Sequence, residues 1–161
     1  MLPTSEQLAA LSAVLEYDLK AMTKLDNQLD NLLTDLQGPT PAFATLAATA
    51  YILHNLYNAL ENSFVQISRT FENHVVNQTQ WHKEVLEKMF LVIPKVRPAV
   101  LPETSRKMLN DLRGFRHVFR HSYDFELDPL LLLQVVTRWQ GQKQELIEAI
   151  NQFRQGLLES I

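Results

Sequence analysis

Between Ser105 and Tyr123 the chain gathers the side chains best suited to phosphate chemistry. Arg106, Lys107, Arg113, Arg116 and Arg120 stand against Asp111 alone, a net of +4, which leaves −7 for the rest of a chain of formal charge −3. If this stretch is helical, at about 100° per residue, Arg113, Arg116, Arg120, His117 and His121 fall on one side. Met108, Leu112, Phe115, Val118 and Phe119 fall on the other, which predicts a basic outer face anchored by an apolar inner one. Arginine stays protonated and holds phosphate or the charge that develops on it in a transition state. Histidine titrates near neutrality and can take a proton from a hydroxyl or return one to a leaving oxygen. Such a face suits metal-free cleavage of RNA, in which the ribose 2′-OH attacks the adjacent phosphate. DNA lacks that nucleophile and is expected to be a poor substrate. The structural alternative is a solvated helix face whose arginines pair with the acidic remainder.

The elements that must hold this face can be read from the prolines and the apolar periodicity. Proline disfavours helix interiors, so the proline-free spans 4–38, 42–93 and 130–161 are where long helices fit. In the first, Leu8, Leu11, Leu15, Met22, Leu25, Leu29, Leu32 and Leu36 form a seam at spacings of three and four, broken only by Asp18. Thr4 and Gln7 predict a capping box at its start. Thr40-Pro41 predicts the cap and first turn of a second helix running to about Val76, and a third is expected from Asn77 to about Val92. Residues 94–104 hold three prolines and read as an irregular connection. A helix from about Ser105 carries the basic cluster, and Asp128-Pro129 opens a final helix to the C-terminus. No segment alternates with period two. The expectation is an all-α, antiparallel bundle of about five helices in a single domain spanning 1–161.

Composition sharpens what this bundle can be. At 161 residues and 46% hydrophobic the chain has a real core. Its acidic balance argues against a protein that coats nucleic acid along its whole surface. With no cysteine, thiol catalysis, disulfides and thiolate-held zinc are excluded, and four glycines do not make a phosphate-cradling loop. No long apolar run or leader-like N-terminus stands out, so the cytoplasm is the expected compartment. No cofactor is expected. His117 and His121 have i, i+4 spacing, but the motif lacks a third metal ligand.

The remaining polar residues each carry two readings. Arg113 and Arg120 are RNA-backbone contacts or dimer-interface residues. His54, Asn58 and Glu61 make a polar stripe on the second helix. They either reach the basic face, with Glu61 orienting a histidine or arginine, or simply join packed helices. Tyr51, Tyr57, Phe64, Phe71, Trp81 and Phe90 read as core or interface aromatics, and a platform for stacking bases would need them exposed beside the basic face. His74 and His82 have no assigned role.

Arg116-His117-Val118-Phe119-Arg120-His121-Ser122-Tyr123 spells R-x4-H-x-Y, and this resembles the signature of HepT toxins, a branch of the HEPN ribonuclease superfamily. The likeness extends to Tyr51–Asn62, to Trp81-His82 and to Leu112–His117, while residues 1–38 are its least specific part. The resemblance implies a homodimeric, metal-independent endoribonuclease toxin whose partner is a nucleotidyltransferase antitoxin of the MNT type. It makes Arg116 the phosphate-stabilising residue, His121 the general base or acid, and Tyr123 the hydroxyl that the antitoxin modifies with AMP. Each chain offers one such set, whereas transesterification uses both a base and an acid. Two sets facing across a two-fold axis supply both. AMP on Tyr123 puts negative phosphate where the RNA phosphate must sit. The runner-up is a HEPN-like RNA- or nucleotide-binding partner of a nucleotidyltransferase that has no catalysis of its own.

Overall fold

The computed structural model describes residues 1–72, 81–121 and 126–161. Six α-helices and one short 3-10 turn make up the described chain, with no strand among the described residues. Helix α1 (Ser5–Asp30) opens with the expected capping box. Thr4 Oγ1 accepts from the Gln7 amide at 3.2 Å, and Gln7 Oε1 accepts from the Thr4 amide at 2.9 Å. The helix stops at Asp30, short of the predicted seam. Leu33–Leu36 forms a separate single turn, α2, which keeps Leu36 in the core after the break at Asn31-Leu32.

Helix α3 (Phe43–Glu72) begins two residues later than Thr40-Pro41 predicts. The reason lies upstream. Asp35 Oδ2 accepts the Ala42 amide at 3.0 Å, so the donor that a local cap would have satisfied is met from α2. A hydrogen bond from Thr45, and then this one from Ala42, hold the Asp35 carboxyl below the ordinary aspartate range. Helix α4 (Trp81–Lys88) is the described part of the predicted third helix and ends four residues early, passing into a turn. The 94–104 connection is irregular as expected. It is pinned by an antiparallel bridge between Ile93 and Arg97, with Lys95 at φ 63° in the tight turn between them. The 3-10 turn Glu103–Ser105 leads into α5 (Arg106–His121). Asp128 caps α6 (Pro129–Glu159) through the Leu130 amide at 3.0 Å, with Pro129 in the first turn as read from the sequence.

Helix α1 packs mainly on α3 and also on α6, while α3 in turn packs against α5. Trp139, Tyr57 and Phe64 are the largest side chains buried in the shared core. Two polar devices tie its layers. Asp26 of α1 accepts from Trp139 Nε1 and pairs with Lys143, both at 2.8 Å. Asp18, the break in the leucine seam, is buried and accepts from Asn62 Nδ2 at 2.9 Å and Ser63 Oγ at 2.8 Å. Among the described residues, no helix is long and apolar enough to cross a membrane.

Candidate active site

On α3, His54, Asn58 and Glu61 recur at helical spacing and face α5. Glu61 receives the guanidinium of Arg116 as a two-pronged fork: Nη1 donates to Oε1 at 2.8 Å and Nη2 to Oε2 at 3.0 Å. Arg116 Nη1 also donates to Asn58 Oδ1 at 3.0 Å. The two charged side chains are only 7% and 8% exposed, so this is an interior ion pair. Beneath it lies the ring of Tyr57, 5.0 Å from the guanidinium carbon. Among the described residues the buried Tyr57 hydroxyl has no hydrogen-bond partner, and burial followed by the Glu61 charge raises its pKa, so the phenol stays protonated.

His82, on α4, completes the cluster. Its ring packs on Trp81 with centroids 3.6 Å apart. Its Nδ1 lies 2.8 Å from Glu61 Oε2 and 2.8 Å from Arg116 Nη2. One ring nitrogen either donates or accepts. Protonated at Nδ1, His82 pairs with Glu61; unprotonated there, it accepts from Arg116. The state of this histidine is therefore coupled to how tightly Glu61 holds the arginine. At 33% exposure His82 is also the side of the cluster that reaches solvent.

One turn along, His54 packs against Phe119 with ring centroids 5.4 Å apart, and its buried Nδ1 has no partner among the described residues. Burial, then the charges of Arg116 and Arg120, lower its pKa, which keeps the ring neutral at neutral pH. Past this point α5 turns outward. His117, Arg120 and His121 are exposed, and the His117 and His121 rings pack together at 4.7 Å. Arg113 is half-buried, with Nη2 on Asn110 Oδ1 at 3.3 Å. Among the described residues, no three His, Cys, Asp or Glu side chains converge as a metal site. Among the described residues, a cavity of about 830 Å³ opens between Pro3, Pro98 and Phe153, away from this cluster.

Several expectations change here. Arg116 does not share an open face with the other basic residues; it is buried, and Val118, expected inside, is exposed. The inner arc of α5 is rotated by about 60° from the predicted one, because Leu109 is fully buried and draws the arc towards Arg116. The basic excess is also smaller in space than in sequence. Arg106 pairs with Glu87 and Glu103 and Arg116 with Glu61, which outweighs the loss of Asp111 to Arg138. Among the described residues, Lys107, Arg113, His117, Arg120 and His121 remain outside these pairs. Glu61 does hold an arginine, as one reading of the stripe expects. His82 had no assigned role, and no spacing pattern marks it, because it reaches the cluster from a different helix. Tyr123 and His74 lie outside the described residues.

A family model described as HepT-like protein matches residues 48–157, more than half of the chain. The chain belongs to the HepT-like family. No curated protein and no solved structure matches it. Membership places this HepT-like chain in the HEPN toxin and ribonuclease superfamily, and its all-α bundle agrees with that. The matched span takes in the Glu61–Arg116 pair, His82 and the whole R-x4-H-x-Y segment, and leaves α1 outside.

Proposed function

We propose that this HepT-like protein is a metal-independent endoribonuclease toxin, active as a homodimer in the cytoplasm and silenced when an MNT-type nucleotidyltransferase places AMP on Tyr123. The observation that carries this reading is the buried Arg116 guanidinium, aimed by both oxygens of Glu61 and lying behind His82, the member of the cluster that reaches solvent. A preoriented cation at the base of a histidine-bearing rim is what stabilisation of a pentavalent phosphate calls for. In the reaction, His121 of one protomer takes the proton of the ribose 2′-OH as that oxygen bonds to phosphorus. The P–O5′ bond breaks, and O5′ leaves with a proton from the second protomer's histidine. A 2′,3′-cyclic phosphate remains. Arg116 Nη2, now shared by Glu61 and His82, is the donor that phosphate reaches first. Arg113 and Arg120 hold flanking phosphates, and His117 supports the His121 ring. AMP on Tyr123 brings a phosphate to the same cations and needs no refolding.

One observation favours the non-catalytic alternative, an RNA- or nucleotide-binding partner of the transferase. Both terminal nitrogens of Arg116 already have protein acceptors. The two readings part on His121. Purified protein cleaves RNA in EDTA, and His121→Ala reduces the rate at least a hundredfold, within the usual span for loss of an acid–base group. The exposed position of His121 leaves the circular dichroism spectrum unchanged. Unaltered cleavage by His121→Ala, or none by the parent protein, sinks the ribonuclease reading. In the same preparation, transferase and ATP add the mass of an adenylyl group to the parent protein. Addition to Tyr123→Phe as well rules out that acceptor.

A further inference from the structure

Tyr51 stands on the α3 stripe that holds the Arg116 cluster, and nothing in the chemistry above uses it. Arg116 meets Asn58 and Glu61, and Phe119 meets His54, so each turn forward on α5 matches one turn back on α3. One turn back from His54 is Tyr51, and the exposed Arg120, next after Phe119 on α5, is near enough to His54 for its charge to act on that ring. The aromatic side chains of Tyr57 and Phe64 on the same helix are wholly buried, yet Tyr51 is 61% exposed. Exposure alone means little for one aromatic residue. The company it keeps is more telling: its near neighbours on that face are His54, Asn55 and Asn58, a surface too polar for the centre of a protein interface. An open ring beside cations and amides fits a nucleotide instead.

We propose that Tyr51 is a nucleobase-stacking residue that takes a base of single-stranded RNA while the adjoining phosphate lies on Arg120. This rests on the ribonuclease reading for its substrate but makes a separate claim about recognition. A flat ring accepts any base face, whereas duplex RNA keeps those faces stacked internally and is excluded. The site therefore selects unpaired RNA with little sequence preference at that nucleotide.

The test measures binding of a short fluorescein-labelled single-stranded RNA, by anisotropy in EDTA, to His121→Ala protein, which binds without cutting. Adding Tyr51→Ala weakens binding by about 5- to 150-fold, the loss expected for one stacked base. Tyr51→Phe stays within about twofold of the parent, whereas Tyr51→Leu behaves as Tyr51→Ala. Tyr17, also exposed but on α1, serves as the control, and Tyr17→Ala leaves binding unchanged. Unchanged affinity in Tyr51→Ala, rescue by leucine, or an equal loss at Tyr17 overturns the proposal. So does a change in oligomeric mass by light scattering, which assigns Tyr51 to contact with a second copy. Tyr51-dependent binding without cleavage by the His121-intact protein removes the ribonuclease reading alone. Cleavage with Tyr51-independent binding removes the stacking site alone, and no RNA binding by any form removes both.

Discussion

Glu61→Ala lowers the free energy of unfolding by about 3–5 kcal/mol, the range for a buried ion pair that loses one partner. The guanidinium of Arg116 is 7% exposed and cannot swing out to water without moving α5. Neither of its remaining partners, Asn58 Oδ1 and His82 Nδ1, carries a carboxylate charge, so the cation is left uncompensated in the interior. Urea unfolding followed by circular dichroism gives the number. A loss under about 1 kcal/mol would mean the pair behaves as a solvated surface contact. The double substitution Glu61→Leu with Arg116→Met separates charge from shape. Because burying two ions costs desolvation that their attraction only partly offsets, the double variant recovers most of the loss. It does so without the fork that the proposed chemistry uses, so regained stability arrives with no regained RNA cleavage.

Arg97→Met also destabilises by about 3–5 kcal/mol, at a place remote from the proposed chemistry. This side chain is fully buried and donates to the Glu72 carboxylate and to the carbonyls of Lys88, Leu91 and Pro98. One guanidinium thus closes the end of α3 against the turn after α4, and methionine leaves a carboxylate and three carbonyls without that donor. For a domain of this size about 2–4 °C is lost per kcal/mol, so the melting temperature falls by roughly 6–20 °C. The pH profile carries a second signature. Burial raises the Glu72 carboxyl, but hydrogen bonds from Ser68 and Arg97 and the charges of Arg97 and Lys88 outweigh it, holding the group below the ordinary glutamate value. A carboxyl depressed in the folded state stabilises above its unfolded pKa, and that contribution is lost as pH falls through the folded one. The parent protein therefore loses this share of stability on acidification below about pH 4.5. Arg97→Met has already lost the Arg97 part of it, so its stability falls less steeply there. Parallel acid limbs in the two proteins would show that Glu72 does not depend on Arg97.

The caps show where reading from sequence works and where it fails. Thr4 with Gln7, and Asp128 with Pro129, are complete within four residues, and both helices begin where those residues say. Thr40-Pro41 looks as complete but is not used, because the Ala42 amide finds its acceptor seven residues upstream on Asp35. That acceptor becomes visible only once α2 has turned the chain back. The break after Asp30 was hidden for a similar reason: the leucine spacing runs on across it, and Leu36 stays buried from a different helix. At the candidate site, Glu61 was legible as a partner for an arginine, and the fork to Arg116 is that partnership. The orientation of α5 was not legible, since the projection omitted Leu109, whose burial decides which way Arg116 points. His82 lay beyond reach because its place depends on how α4 packs on α3, which no local pattern encodes.

Asp18 has a consequence for how the bundle finds its alignment. A seam of leucines repeating every seven residues is nearly periodic, so sliding α1 along α3 by one repeat keeps apolar groups opposite apolar groups and is only weakly penalised. Such a slide of about 10.5 Å carries the Asp18 carboxylate away from Asn62 and Ser63, its two donors, and leaves a buried charge unanswered. The acidic side chain that spoils the leucine pattern therefore acts as an index mark. It lifts the translational degeneracy of the α1–α3 pairing, and with it the vertical position of every group on α3, Glu61 included, relative to the rest of the fold.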